Sequence, residues 1–115
     1  MGRLTTHVLD TAHGRPGSGI RIKLFSMAGG RHLVTNAVTN GDGRTDQPLL
    51  DGETFQGGRY EIEFLVGEYF KGLGVETGEP PFLDEVIVRI SLAADGSYHV
   101  PLLVSPWSYS TYRGS

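Results

Sequence analysis

Apolar and polar residues alternate with a period of two along much of the chain. In Ile20-Arg21-Ile22-Lys23-Leu24-Phe25 and again in residues 58–64, the apolar side chains fall on one side and charged ones on the other. This alternation is typical of β-strands with one buried face. Such segments recur between turns rich in Gly, Asn, Asp and Pro, the pattern of an all-β sandwich or barrel. The predicted strands are residues 4–10, 20–25, 32–40, a short piece near 54–55, 58–64, 84–92, 98–104 and 109–113.

One stretch departs from this period. Val66, Tyr69 and Phe70 follow helical spacing, and glycines end the run, so one short helix is predicted over residues 66–73. A chain of 115 residues has room for one hydrophobic core. We therefore expect a single domain over residues 1–115.

Composition and charge narrow the classes of partner. The formal net charge of −3 argues against nucleic acid and against an anionic membrane surface. The chain has no cysteine, which excludes disulfides, thiolate metal ligands and a cysteine nucleophile. No apolar run approaches the roughly 20 residues that cross a bilayer, and no secretory signal is recognisable. We expect a cytoplasmic protein.

The four histidines are the first candidates for chemistry, because histidine titrates near neutral pH. His7 and His99 lie on predicted strands whose same-face neighbours are mostly apolar, so a buried ring there would need a hydrogen-bond partner. Taken alone, a histidine on a strand is more often a structural residue with a satisfied hydrogen bond. His13, in a turn, and His32, after two glycines, are expected to be exposed.

The spacing of the candidate residues along the chain gives little support for a metal site or for a serine nucleophile. His7 and Asp10 are three residues apart on a predicted strand and should point to opposite faces. The chain lacks the H-E-x-x-H and G-x-S-x-G motifs, and its Gly72-Leu73-Gly74 follows the helix instead of opening one. No metal and no cofactor are predicted.

Aromatic residues are dense in the last segment. Trp107, Tyr109 and Tyr112 precede Arg113, whereas chain ends ordinarily fray and carry little aromatic surface. We expect this segment to pack against the domain, although a simple closing strand would also fit the pattern.

Several motifs, taken together, resemble those of the transthyretin-like 5-hydroxyisourate hydrolases. They are Leu4-Thr5-Thr6-His7-Val8-Leu9-Asp10, Gly14-Arg15-Pro16, Asp42-Gly43-Arg44-Thr45, Tyr98-His99-Val100-Pro101-Leu102-Leu103 and Tyr112-Arg113-Gly114-Ser115. The resemblance covers essentially the whole chain. It implies a transthyretin-like sandwich of two four-stranded sheets with one short helix. It also implies a homotetramer, a dimer of dimers, with active sites shared across the interface between dimers.

The resemblance further implies a function: cofactor-independent hydrolysis of 5-hydroxyisourate, the product of urate oxidation, to 2-oxo-4-hydroxy-4-carboxy-5-ureidoimidazoline. It assigns catalysis to His7, Arg44 and His99, and substrate binding to His7, Arg44, Tyr112, Arg113 and Ser115. One histidine would be the general base and the other would orient it or the substrate, with the choice open. Arg44 would stabilise the substrate oxygen.

Two other functions remain open. A transthyretin-type carrier would hold a small hydrophobic ligand in the channel between dimers, but the ionisable residues His7, Arg44 and His99 argue against it. A structural β-sandwich with another partner is disfavoured by the C-terminal segment. At two positions the chain differs from the family that it resembles. Ser97 stands where many relatives have a histidine, and Gly17 stands where alanine is usual.

Overall fold

The computed structural model describes residues 2–115, in which two β-sheets pack face to face. The strands and the helix follow in chain order: β1 (Arg3–Asp10), β2 (Arg15–Pro16), β3 (Arg21–Ser26), β4 (His32–Val38), β5 (Leu50–Asp51), β6 (Gly58–Phe64), α1 (Val66–Gly72), β7 (Val86–Leu92), β8 (Ser97–Val104) and β9 (Tyr109–Thr111).

The two sheets have different pairing. Sheet I has the order β2-β1-β8-β9, and β5 also pairs with β1. Within it β1 and β8 run parallel, with Thr5 opposite His99 and His7 opposite Pro101. Sheet II has the order β4-β3-β6-β7 and is antiparallel throughout. The predicted two-sheet sandwich is confirmed, but sheet I has five strands instead of four, because the two-residue β2 was not predicted.

The predicted strand near residues 54–55 is wrong. The strand lies earlier, at Leu50–Asp51, and Gly52–Thr54 forms a short 3-10 turn. The Thr54 hydroxyl accepts a hydrogen bond from the Asp51 N–H at 2.9 Å and donates one to the Asp51 carbonyl at 2.8 Å. These local bonds offer the backbone an alternative to a strand ladder, so the chain curls there.

Alternating side chains fill the space between the sheets and leave a second face outside. On β1, Leu4 and Val8 are fully buried, whereas His7 lies on the opposite, half-exposed face. On β8, Val100 is buried and His99 faces outward with His7. The core thus holds rigid the two strands that carry the candidate histidines.

The predicted helix is confirmed as α1, whose Val66 and Phe70 are fully buried. Its Tyr69 hydroxyl donates a 2.7 Å hydrogen bond to Asp10, at the end of β1. At seven residues α1 is too short to cross a bilayer, and residues 2–115 contain no helix that could.

His13 is exposed, as the sequence predicted, but its side chain is held by other residues. Its Nδ1 lies 2.7 Å from Asp10 Oδ2, its backbone N–H donates to Asp10 Oδ1 at 3.0 Å, and its ring stacks on Phe70. The period of β1 turns Asp10 inward, where a carboxylate needs partners. Burial alone would raise the pKa of Asp10, but the hydrogen bonds from Tyr69 and His13 lower it below its ordinary value. His32 is exposed, as expected.

Candidate active site

Three ionisable side chains from distant parts of the chain meet on the outer face of sheet I. The ring centroids of His7 and His99 are 6.5 Å apart. Arg44 forms an isolated β-bridge with His7, and its charge acts on His99. The structure therefore brings together the three residues that the sequence nominated for catalysis.

The turn that carries Arg44 is built against β1. The Asn40 side-chain oxygen accepts the backbone N–H groups of Asp42 at 2.9 Å and Arg44 at 3.3 Å. Gly43 has a φ of +76°, and its carbonyl accepts the Val8 N–H at 2.8 Å. A Cβ on Gly43 would collide with the Val8 carbonyl oxygen, so only glycine allows this close approach.

That turn also fixes the ring of His7. The Asp42 backbone carbonyl lies 2.8 Å from His7 Nε2. A carbonyl oxygen only accepts hydrogen bonds, so Nε2 carries the hydrogen and donates it. In the neutral ring the lone pair is then on Nδ1.

The ring of His99 is fixed by a hydrogen bond at Nδ1, whereas the ring of His7 is fixed at Nε2. The Nδ1 of His99 lies 2.8 Å from the Thr5 hydroxyl, directly across the parallel pair of β1 and β8. Every buried side-chain nitrogen in residues 2–115 has a hydrogen-bond partner, and Nε2 of His99 has none, so Nε2 is open to solvent. Burial first, then the charges of Arg44 and His7, lower the pKa of His99 and favour the neutral ring.

The C-terminal residues fold back onto β8. Gly114 donates its N–H to the His99 carbonyl at 2.7 Å. The Arg113 guanidinium lies 4.2 Å from the centroid of the Tyr98 ring and donates to the Ser97 carbonyl at 3.2 Å. This brings Ser115 to the same side of the sheet as His99, where both line one cavity.

The cavity beside His99 is open and has a volume of about 580 Å³. Thr5, His99 and Ser115 line it, and an Arg3–Asp51 ion pair of 3.6 Å stands at its rim. Thr5 also lines a smaller neighbouring pocket that contains Arg44. The arrangement offers a small polar molecule a neutral imidazole, a guanidinium and a hydroxyl within one region.

Tyr112 lies elsewhere, and the expected packing of the aromatic segment is only partly found. Within this chain Tyr112 lines a groove with Val88 and Val100, on the opposite face of β8 from His99. Trp107 and Tyr112 are both more than half exposed. Packing is instead made by residues 113–115.

Pro101 explains this path of the chain. Proline has no N–H to donate to a strand ladder. Pairing of β9 with β8 stops at Leu102 and Thr111, one residue before Pro101, and resumes only at the His99–Gly114 bridge. Residues 112 and 113 span the gap, which turns Tyr112 away from the site.

Sequence reasoning missed three contributors: the Thr5 hydroxyl, the Asp42 carbonyl and the Gly114 backbone. The alternation of β1 placed Thr5 on the face of His7, but its contact with His99 depends on parallel pairing between strands 94 residues apart. The predicted opposition of His7 and Asp10 is confirmed, since Asp10 points into the core and His7 does not. Residues 2–115 contain no group of three or more His, Asp or Glu side chains arranged to hold a metal.

The two sheets, the parallel β1–β8 pair and the histidine–arginine cluster define a transthyretin-like β-sandwich protein. A sequence profile described as "HIUase/Transthyretin family" matches residues 4–114. The chain belongs to this family.

Individual relatives agree with this assignment. The chain is 56% identical to a 5-hydroxyisourate hydrolase of Pseudomonas aeruginosa, with 100% of this chain and 93% of that protein covered. It superposes with a TM-score of 0.93 and 49% identity on a crystal structure of (S)-allantoin synthase, covering 99% of this chain but only 44% of the longer one. Sea bream transthyretin in complex with thyroxine gives a TM-score of 0.87 at 27% identity, with 97% and 94% covered.

Proposed function

We propose that this protein hydrolyses 5-hydroxyisourate to 2-oxo-4-hydroxy-4-carboxy-5-ureidoimidazoline, a step of urate degradation. The observation that carries the proposal is the convergence of His7, Arg44 and His99 on the outer face of sheet I, where His99 lines an open cavity. The relative from Pseudomonas aeruginosa carries the name of this activity and matches over the whole chain.

His99 is the proposed general base. Its Nε2 is open to solvent, the residue lines the cavity, and its lowered pKa favours the neutral ring. As the water oxygen bonds to the amide carbonyl carbon of the six-membered ring, Nε2 takes the water proton. The same proton then passes to the ring nitrogen as the carbon–nitrogen bond breaks. A positioned base of this kind contributes about 10²–10⁴-fold to the rate.

Arg44 serves the reaction in two ways. Its planar guanidinium can hydrogen-bond to the oxygens of a flat heterocycle. Its positive charge stabilises the negative charge that develops on the attacked carbonyl oxygen. The same positive charge disfavours an imidazolium at His99. His7, with Nε2–H held by the Asp42 carbonyl, presents Nδ1 to the site and orients the substrate.

The C-terminal residues complete the proposed site. Arg113 fixes the segment by stacking on Tyr98, and Ser115 contributes its hydroxyl to the cavity beside His99. Within the single chain, Tyr112 lines another groove. The substrate contact proposed for Tyr112 therefore requires an arrangement of subunits that the single chain does not provide. Deletion of residues 112–115 tests the segment as a whole: unchanged turnover would contradict this role.

The proposed assembly is a homotetramer, a dimer of dimers, with sites shared across the interface between dimers. Half-buried Leu9 and Leu103 lie among the polar residues of the outer face of sheet I, so cover by another subunit would bury apolar surface. Light scattering coupled to size exclusion should give the mass of four chains. A monomer that turns over substrate at the full rate would contradict shared sites.

The test of function is a coupled absorbance assay. Urate oxidase generates 5-hydroxyisourate, and its decay is timed with and without the protein. We expect acceleration that His7→Ala and His99→Ala each reduce by at least about 10²-fold. His32→Ala, which changes an exposed histidine outside the site, is the matched control and should leave the rate unchanged. No acceleration by the wild type, or full acceleration by both site variants, would refute the assignment.

A transthyretin-type carrier is the second candidate, because a thyroxine complex shares the fold at a TM-score of 0.87. The ionisable trio makes the corresponding face of this chain polar, which disfavours a largely apolar ligand. Calorimetric titration with thyroxine should show no tight binding. The cytoplasmic location expected from the sequence stays a prediction, which cell fractionation would test.

A further inference from the structure

Thr5 occupies a specific place beside the proposed base. Thr5 and His99 are partners in the parallel register of β1 and β8, and both side chains lie on the outer face of sheet I. The Thr5 Oγ1 to His99 Nδ1 distance of 2.8 Å is that of a good hydrogen bond. The ring plane of His99 is therefore set by a residue of another strand.

The same chain shows what a different partner does to a histidine. Asp10 holds His13 through a 2.7 Å contact between Oδ2 and Nδ1. A carboxylate only accepts hydrogen bonds, so His13 must carry a hydrogen on Nδ1. A threonine hydroxyl both donates and accepts and bears no charge.

We infer that Thr5 is a positioning residue for His99, which orients the ring through a neutral hydrogen bond that persists whether or not the ring has taken up a proton. The inference rests on the proposed function for its catalytic meaning. The Thr5–His99 coupling itself is measurable without substrate.

The proton positions follow from this bond. In the neutral ring that acts as base, the Nδ1 hydrogen is donated to Thr5 Oγ1, and the lone pair is on Nε2, the nitrogen open to solvent. When Nε2 accepts the water proton, the Nδ1–H···Oγ1 bond remains as it was. The ring therefore gains and loses its proton without turning, and no charged partner makes the imidazolium too stable to return it.

The other charged groups near His99 are accounted for. His7 on β1 and Arg44 on the turn act on it directly, and both disfavour the charged ring. Arg3 and Asp51, which line the cavity, form an ion pair, so their opposite charges offset one another. Against this background, the charge borne by residue 5 should have a clear effect on the titration of His99.

Three variants test the inference. Thr5→Val keeps the volume and removes the hydroxyl, Thr5→Ser restores it, and Thr5→Asp introduces a charge. Thr6→Val is the matched control: it is the neighbouring threonine on β1, but it bonds the Val100 carbonyl on the buried face. Proton–nitrogen correlation spectra of ¹⁵N-histidine-labelled protein report the tautomer and the titration of His99 in each variant.

We expect wild type, Thr5→Ser and Thr6→Val to show one His99 tautomer with the hydrogen on Nδ1. Thr5→Val should show a mixture and lose about tenfold in kcat with little change in KM, since ring orientation is lost and substrate contacts are kept. Thr5→Asp should move both the His99 titration and the acid limb of the kcat/KM profile to higher pH.

Unchanged tautomer populations and titration in Thr5→Val would overturn the inference, whatever the turnover. So would a wild-type ring with its hydrogen on Nε2. A wild type that shows the expected spectra but does not accelerate decay of 5-hydroxyisourate would instead refute the proposed function.

Discussion

Gly114 donates its backbone N–H to the carbonyl oxygen of His99 at 2.7 Å, and the two residues approach so closely that no side chain fits between them. A Cβ on Gly114 would lie 2.7 Å from Cδ2 of the His99 ring. On its other side the ring is hydrogen-bonded to Thr5. The C-terminal segment and β1 thus fix the His99 ring between them.

Gly114→Ala should therefore damage catalysis more than stability. The new methyl group must displace either the His99 ring or the segment, and a misplacement of about 1 Å can cost on the order of 10²-fold in rate. We expect kcat/KM to fall by that order while the thermal midpoint changes little, since the segment lies outside the core. The coupled assay and thermal unfolding measure the two effects.

Gly72→Ala is the matched control for this substitution. Gly72 ends α1, and a Cβ there would meet open space. It should leave the rate unchanged and stabilise the fold slightly, as replacement of a helical glycine usually does. Full activity in Gly114→Ala would show that the close approach to His99 has no catalytic role.

Gly43→Ala should reduce activity and stability together. Gly43 has a φ of +76° and packs against the Val8 carbonyl, so alanine there is strained and also collides with β1. The left-handed conformation alone costs roughly 1–2 kcal/mol. Because this turn carries both Arg44 and the Asp42 carbonyl, its displacement removes two contacts of the site. Urea unfolding and the coupled assay should both detect the change, and a variant of wild-type stability would contradict the geometry.

The sequence predicted the elements that depend on local pattern. Alternation placed Leu4 and Val8 inside and His7 outside, and helical spacing located α1, because burial on one face leaves a periodic trace. It missed the curl at Gly52–Thr54, where the Thr54 hydroxyl bonds to the backbone of Asp51. The hydrogen bonds of this one side chain stabilise the turn there in place of the predicted short strand.

The site depended on contacts that no local pattern encodes. His7 and His99 could be nominated, but their partners come from other segments: a carbonyl from residue 42 for one, and a hydroxyl from residue 5 for the other. Tyr112, by contrast, was expected in the site but lies outside it within the single chain. Its neighbours in the C-terminal motif reach the site, while Pro101 interrupts the ladder and turns Tyr112 to another groove within the chain.

Arg44→Gln should raise the pKa of His99. Burial still lowers that pKa, but the second cause, the guanidinium charge, is removed. Since the base must be neutral, activity is lost as pH falls through the pKa of His99, and the acid limb of kcat/KM should move to higher pH. Arg44→Lys keeps the charge, so its acid limb should stay near that of the wild type while kcat falls with loss of the planar fork. An unchanged His99 titration in Arg44→Gln would contradict the electrostatic role.

Asp10→Asn should destabilise the fold and flatten its response to acid. The Asp10 carboxylate accepts hydrogen bonds from Tyr69 and His13, and loss of a buried charged acceptor costs about 1–3 kcal/mol. Equilibrium urea unfolding at fixed protomer concentration measures this cost, because assembly makes stability depend on concentration.

The direction of the pH effect follows from the pKa of Asp10. Burial would raise it, but the hydrogen bonds lower it below its ordinary value of 3.8, so the folded state binds the proton more weakly than the unfolded chain does. The contribution of Asp10 to stability is therefore complete above that value and is lost as pH falls through the folded pKa. The difference in unfolding free energy between wild type and Asp10→Asn should be constant near neutral pH and should shrink as the pH falls below the ordinary value of 3.8. Asp95→Asn, in an exposed turn, should show no such difference at any pH. A wild-type advantage that persists undiminished at the acid end would show that the carboxylate is not the group responsible.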